Sequence, residues 1–248
     1  MGKIEAYEEK LSNIKDWKPY LLKESGLPGV RGNIELAMAV ASKGNEQLFS
    51  ELISYSPEIA PVNSPEEFLA FCGVVGYGRI LSEGNTAAIE IIRTHASDPR
   101  WRTREAVAMA LQKLGDKNMV LLLEEAEKLS QGNLLEKRAA AAALCEPRLL
   151  KDKNQVKRVL DILDCITSSM AGLKDRKTEE FVALKKGMAY CWSVAVAAYP
   201  EDGKKYMEKW LLSKDKDVLW IMKENLKKNR LRNADAEWVR QWKEKMGM

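Results

Sequence analysis

The stretch "DPRWRTREAVAMALQKLG" (98–115) opens with Asp-x-x-Trp-x-x-Arg-Glu, and "DVLWIMKE" (217–224) repeats that octad with Lys in place of Arg. An aspartate ahead of Ala, Val and Leu at helical spacing marks a helix start, because its carboxylate can accept from first-turn amides that have no intrahelical partner. Pro99 fits the first helical position, where its missing N–H costs nothing. A looser copy, "GNLLEKRAA" (132–140), sets Leu135 where Trp101 stands and Arg138 where Arg104 stands. Each octad therefore reads as the start of the first helix of a hairpin. The Asp caps, the Trp packs toward a neighbouring repeat, and the Arg or Lys reaches back to a cap carboxylate.

The rest of the chain carries the same punctuation. "GNIELAMAVASKG" runs from Asn33 to Gly44, and "SPEEFLAFCGVVGYGRILSEG" from Ser64 and Pro65 to Gly84. Helices are expected to start at Asp98, Asp116 and Asn133 and to stop at Gly115, Gly132 and Pro147. Period-2 alternation is absent, so no sheet is expected. The helices pair as 33–43 with 45–54, 64–82 with 85–95, 100–114 with 117–131, 133–145 with 153–171, 175–198 with 201–213, and 215–230 with 234–246. Pair starts fall about 30 to 42 residues apart, the spacing of helical-hairpin repeats. The expected fold is all-α: an α-solenoid of about six antiparallel hairpins, thirteen or fourteen helices, and one domain over 1–248.

"DPRWRTREAVAMAL" resembles a HEAT repeat. The resemblance covers about 98–144 and 215–230 well and 33–95 more loosely. "ESGLPGVRGNIELAMAVA", "RAAAAALCEPRLL", "YCWSVAVAAYP" and "IMKENLKKNRL" look like a group of bacterial and archaeal HEAT-repeat proteins of unassigned function. "WRTRE" (101–105) is similar to the Trp-x-Arg-Arg helix start of the HEAT-like alkylpurine DNA glycosylases, which hold duplex DNA on a basic concave face. That family sets a Trp and a catalytic Asp on the preceding helix. Here "EEFLAFCGVVGYGRIL" has Phe68, Phe71, Gly73 and Gly76 and no Asp, so no carboxylate is available there to stabilise an oxocarbenium-like sugar. The resemblance implies the fold and a binding mode, not the reaction.

Composition excludes several other classes. Hydrophobic residues make up 46% and charged residues 31%, values of a folded soluble chain. The first seventeen residues are charged and lack an apolar core, so they do not read as a signal peptide, and no apolar run reaches the ~18 residues of a membrane span. Four separated cysteines and a single histidine, His95, give no zinc pattern and no constellation for nucleophilic catalysis. Cys72, Cys145 and Cys191 lie in apolar stretches, and all four thiols are expected to be free and unreactive in a cytoplasmic protein. No catalytic residue, metal ligand or cofactor is assigned, and a monomer is expected.

Net charge is +4 but uneven. Residues 1–97 hold 9 basic and 13 acidic side chains, whereas 204–248 hold 13 and 7. The basic end points to an anionic partner. Trp220, Lys223, Lys227 and Arg230 follow i, i+3, i+7, i+10, one stripe of a continuous helix, with Asn225 and Lys228 at its flank. The stripe reads either as a phosphate-gripping surface or as a solvated face with Trp220 packed beneath the next helix. Arg102, Arg104, Arg138 and Arg148 form a second candidate, lining one groove or pairing with Glu105, Glu136 and Glu146. "GLPGVRGN" (26–33) reads as a structural turn or a phosphate cradle, without Walker spacing. The expected function is non-enzymatic binding of an anionic partner, DNA or RNA ahead of an acidic protein. The alternatives are an alkylpurine glycosylase-like repair enzyme and a protein–protein scaffold.

Overall fold

The computed structural model describes residues 2–248. Among them are fifteen α-helices and no strand, and the chain divides into two compact units, 1–118 and 119–248.

Unit 1 holds α1 (Lys3–Ser12), α2 (Lys18–Lys23), α3 (Ile34–Lys43), α4 (Glu46–Ile53), α5 (Glu67–Ser82), α6 (Ala88–His95) and α7 (Trp101–Lys117). Helix α5 is apolar on every side, with thirteen of its sixteen residues buried, and that pattern belongs to a central helix. It contacts α2, α3, α4, α6 and α7. The close approach comes from its glycines. A Cβ on Gly76 would fall 2.3 Å from the Phe49 ring of α4, and one on Gly78 would fall 2.4 Å from Ala110 Cα of α7. The run "CGVVGYG" is therefore a packing device.

Several boundaries differ from expectation, each for a local reason. Ser64 does not open a regular helix: residues 64–66 form a tight turn whose carbonyls accept from Glu67, Phe68 and Leu69, three residues on, and α5 starts at Glu67. Gly84 is the expected stop, with φ +105°. Gly84 N–H donates to Leu81 O and Asn85 N–H to Ile80 O, which is the Schellman closure. Gly115 is no stop. Helix α7 runs through it to Lys117, and Asn118 closes the end. Asp98 does not cap α7 either. Arg100 stands at the cap position, and the Asp98 carboxylate takes the Arg100 backbone N–H at 2.8 Å and its guanidinium at 2.7 and 2.9 Å.

Unit 2 holds α8 (Met119–Ser130), α9 (Leu134–Leu144), α10 (Lys153–Ala171), α11 (Glu179–Ala198), α12 (Pro200–Leu211), α13 (Lys216–Leu226), α14 (Asn229–Ala234) and α15 (Ala236–Lys245). Its helices form two rows. α9 packs on α11 and α11 on α13, while α8 packs on α10 and α10 on α12. Fully buried Trp192 in α11 donates its indole N–H to Thr167 of α10 at 3.1 Å. Asn133 and Glu136 close a reciprocal capping box at the start of α9. The chain end departs from expectation: the helix over 215–230 stops at Leu226, so three short helices stand where two were expected.

The two octads consequently occupy different frames. Trp101 is the first residue of α7, whereas Trp220 is the fifth of α13, whose cap is Asp215. They share one contact, a cation over the exposed indole: Arg102 lies 4.4 Å from the Trp101 centroid and Lys185 lies 4.5 Å from that of Trp220. The four thiols are free, with Cys72, Cys145 and Cys191 buried. Burial pushes the Cys72 and Cys145 thiols well up. Cys165, the one cysteine outside the apolar stretches, is exposed.

Chemical denaturation tests the glycine contacts. Gly78→Ala drives a methyl against the α7 backbone, which has no rotamer to yield, and should cost about 1–3 kcal/mol of stability. Gly172→Ala meets nothing within 4 Å and should stay within about 0.5 kcal/mol of the parent. Equal midpoints for the two variants would contradict the close approach of α5 and α7.

Candidate anion-binding site

Helix α13 buries Val218, Ile221, Met222, Asn225 and Leu226. Asn225 has no exposed surface, so it is not the flank of an anion strip that its spacing suggested. Its Oδ1 accepts the Ser193 N–H at 2.7 Å, and its Nδ2 donates to Met188 O at 2.9 Å and Ile221 O at 2.8 Å. The amide thus uses its whole donor capacity, one N–H crossing to α11 and the other returning to its own helix, while its oxygen takes an α11 amide. It sets the rotation of α13 about its own axis.

A second tie lies at the start of α13. Asp215 accepts from the amides of Asp217 and Val218 and pairs with Arg176 at 2.6 Å. Asp217 pairs with Arg176 at 3.0 Å and with Lys185 of α11 at 2.7 Å. The Lys185 ammonium holds the Asp217 carboxyl below the usual range, and the Arg176 guanidinium does the same for Asp215. These two carboxylates raise the pKa of Arg176 in return. The octad Asp of α13 is therefore joined to α11 and to the turn before it by cations that sequence spacing did not single out.

With α13 so fixed, Trp220, Lys223 and Lys227 face outward. They line an open cleft of about 610 Å³ with Glu224, Lys243 of α15 and Met248. Trp220 is 38% exposed, which corrects the reading in which it packs under the next helix. Lys227 pairs with Glu224 on its own helix. Lys223 donates to Met246 O at 3.2 Å, just beyond the end of α15, where helix carbonyls favour a cation. Among the described residues no carboxylate pairs with Lys223 or Lys243. The cleft presents an indole face, two ammonium groups without acidic partners and a third in a local pair.

The remaining sequence candidates lie elsewhere. Arg230 does not continue the stripe, because α13 ends before it; it sits on α14 with its guanidinium over Tyr190. Lys228 stands at the cap of α14 and does not line the cleft. Arg102 is buried, a correction to its place among binding residues: it pairs with Glu67 at 3.3 Å and donates to Gly29 O at 2.5 Å and Asn63 Oδ1 at 3.2 Å. The "GLPGVRGN" loop is pinned by those bonds and by Gly29 N–H to Asn63 Oδ1 at 3.0 Å, so it is a structural turn. Arg104 reaches back to the backbone carbonyls of Asp98 and Pro99 at 2.6 and 2.9 Å. Arg138 is half-buried, with its stem lying 3.4 Å from where a Cβ on Gly187 of α11 would stand. Arg148 pairs with Glu146 at 3.3 Å.

Two members of the neighbourhood, Lys185 and Lys243, escaped sequence reasoning. Lys243 could have been found from the pattern "WVRQWKEK", in which Trp238, Val239 and Trp242 are buried and Lys243, next to Trp242, is not. Lys185 gave no signal before α11 and α13 were known to touch. Among the described residues no group of three potential metal ligands occurs, and no helix is long and apolar enough to cross a membrane. No protein-family model matches the chain, and no curated protein matches it.

The acidic cluster carries a pH signature. Folding lowers the pKa of Asp215 and Asp217, so the native state binds fewer protons than the unfolded chain. The stability they contribute is full above the ordinary Asp value of about 3.9 and is lost as pH falls through the lower folded values. Asp217→Asn should cost about 1–3 kcal/mol at neutral pH and should make the decline of stability below about pH 4 shallower. Urea midpoints measured from pH 7 to pH 2 check this; parallel acid limbs for parent and variant would contradict it.

Proposed function

We propose that the chain is a HEAT-like helical-repeat protein that binds nucleic acid, without catalysing a reaction on it, through the cleft between α13 and α15. The two helix rows of the second unit and the starts of α3, α5, α7, α9, α11 and α13, which fall 33 to 45 residues apart, support the repeat reading. One observation carries the binding reading: Lys223 and Lys243 converge with exposed Trp220 on an open cleft, and no described carboxylate neutralises either of them. The excess of six basic residues over 204–248 adds a longer-range attraction.

The chemistry follows from those groups. An unpaired base can stack on the Trp220 indole, an arrangement tolerant of sequence. The ammonium groups of Lys223, Lys243 and Lys227 meet successive phosphates and displace condensed counterions, so binding weakens with salt. Stacking needs a base free of its partner, which favours single-stranded segments over duplex. Four free thiols fit a reducing, cytoplasmic setting.

Fluorescence anisotropy with a labelled single strand, repeated across a salt series, tests the proposal. The parent should bind with a negative slope of log K against log salt. Lys223→Gln with Lys243→Gln should make that slope shallower by about 1.4, at about 0.7 per lost contact on a single strand. Trp220→Ala should lower affinity by about 1–3 kcal/mol and leave the slope alone. Lys205→Gln, on an exposed lysine paired with Asp202 in α12, serves as the control. No binding by the parent at low salt would overturn the nucleic-acid reading in favour of a protein scaffold, and an unchanged slope in the double variant would remove this cleft from the site.

A further inference from the structure

The break between α13 and α14 turns Arg230 away from the lysine cleft and into a second one. That cleft, of about 330 Å³, is lined by Pro147, Leu150, Val194, Ala197, Ala198 and Arg230. Five of the six are apolar, and the two alanines of α11 keep the space open. The volume lies at the low end of small-molecule pockets, which run from about 300 to 1,000 Å³.

Arg230 is the single charge on this surface, and its situation is unusual. Its guanidinium lies over the Tyr190 ring at 4.4 Å, and one N–H donates to the Tyr190 hydroxyl at 2.5 Å. Among the described residues no carboxylate pairs with it. A guanidinium stays charged at every physiological pH and has five N–H donors in a planar fork, so a neutral phenol leaves its charge and most of its donors unused. Stacking on the ring holds the fork in one plane at no cost to those donors, a preorganised receptor for a planar anion.

We propose that this cleft binds a small monocarboxylate with an apolar body, its carboxylate on Arg230 and its chain against Leu150, Val194 and Ala197. One fixed cation matches one negative charge, so a carboxylate is favoured over a phosphate dianion. The apolar lining selects a ligand with a hydrocarbon chain. This inference is independent of the nucleic-acid reading, since the two clefts share no lining residue.

Titration of the full chain with octanoate, followed by calorimetry, tests it. Saturable binding with one site per chain is expected. Arg230→Gln should weaken octanoate about tenfold to a hundredfold, the loss of a charge-assisted hydrogen bond, while Arg230→Lys should recover part of it. Octan-1-ol should bind the parent and Arg230→Gln alike, because it makes no use of the charge. Ala197→Phe keeps Arg230 and fills the cleft, and should abolish octanoate binding while leaving the nucleic-acid salt slope as in the parent. Absence of saturation up to about 10 mM octanoate, or equal octanoate affinity in the parent and in either the Gln or the Phe variant, would overturn the proposal.

Discussion

A side-chain amide buried between two helices sets the geometry of the second unit. Asn225 receives the Ser193 N–H and donates to Met188 O and Ile221 O, so it is bound to α11 by both ends of its dipole. Any rotation of α13 would break at least one of these bonds in a place water does not reach, at about 1–3 kcal/mol for each group left unsatisfied. The outward face is then determined by helix geometry. Trp220 lies five residues before Asn225, about 140° around the helix, and Lys223 and Lys227 project with it toward the cleft. The ion pairs of Asp217 with Arg176 and Lys185 act on the first turn of the same helix and prevent it from pivoting about Asn225. A polar clamp inside thus decides which cations stand outside.

The first unit uses cations in the opposite way. Arg100 and Arg102 turn inward and hold loops: Arg100 takes the carbonyls of Tyr55 and Ala60, and Arg102 takes Gly29 and Asn63. Charges committed to so many internal acceptors are unavailable to a ligand, and each is costly to remove. The contrast with α13 and α15 gives the assignment of the site its basis. Where an arginine finds a carboxylate and several carbonyls it is part of the fold; Lys223 and Lys243, which form no ion pair among the described residues although Glu224 lines the same cleft beside Lys227, remain available for a partner.

Much of the fold was legible in the sequence because its signals are local. Asn33, Asn45, Asn133, Asp152 and Thr178 cap the helices that follow them, and Gly84 closes α5 as its position implied. What sequence could not show was which partner a residue meets at long range. Asp98 carries the capping chemistry, yet Arg100 two residues away competes for its carboxylate and wins by offering three donors. Gly115 is a stop only if the helix can afford no more turns, and α7 continues to Asn118. The two similar octads fall in different helical frames, because Asp215 captures the cap at α13 while no side chain of the octad caps α7. Within the candidate site, Trp220, Lys223 and Lys227 were visible from their spacing. Lys243 and Lys185 lie on other helices, so their approach depends on the packing of α15 and α11, and Arg230 was lost when the helix broke at Leu226.

The central claim is that the face of α13 turned outward by Asn225 is where an anionic strand lies. Ultraviolet cross-linking of the intact protein to a single-stranded oligonucleotide, with the cross-linked peptides mapped by mass spectrometry, reads that contact directly. The account predicts adducts concentrated in peptides that contain Trp220, Lys223 and Lys243, and their loss in high salt. Adducts confined to the first unit, around Trp101 and Arg31, would contradict it.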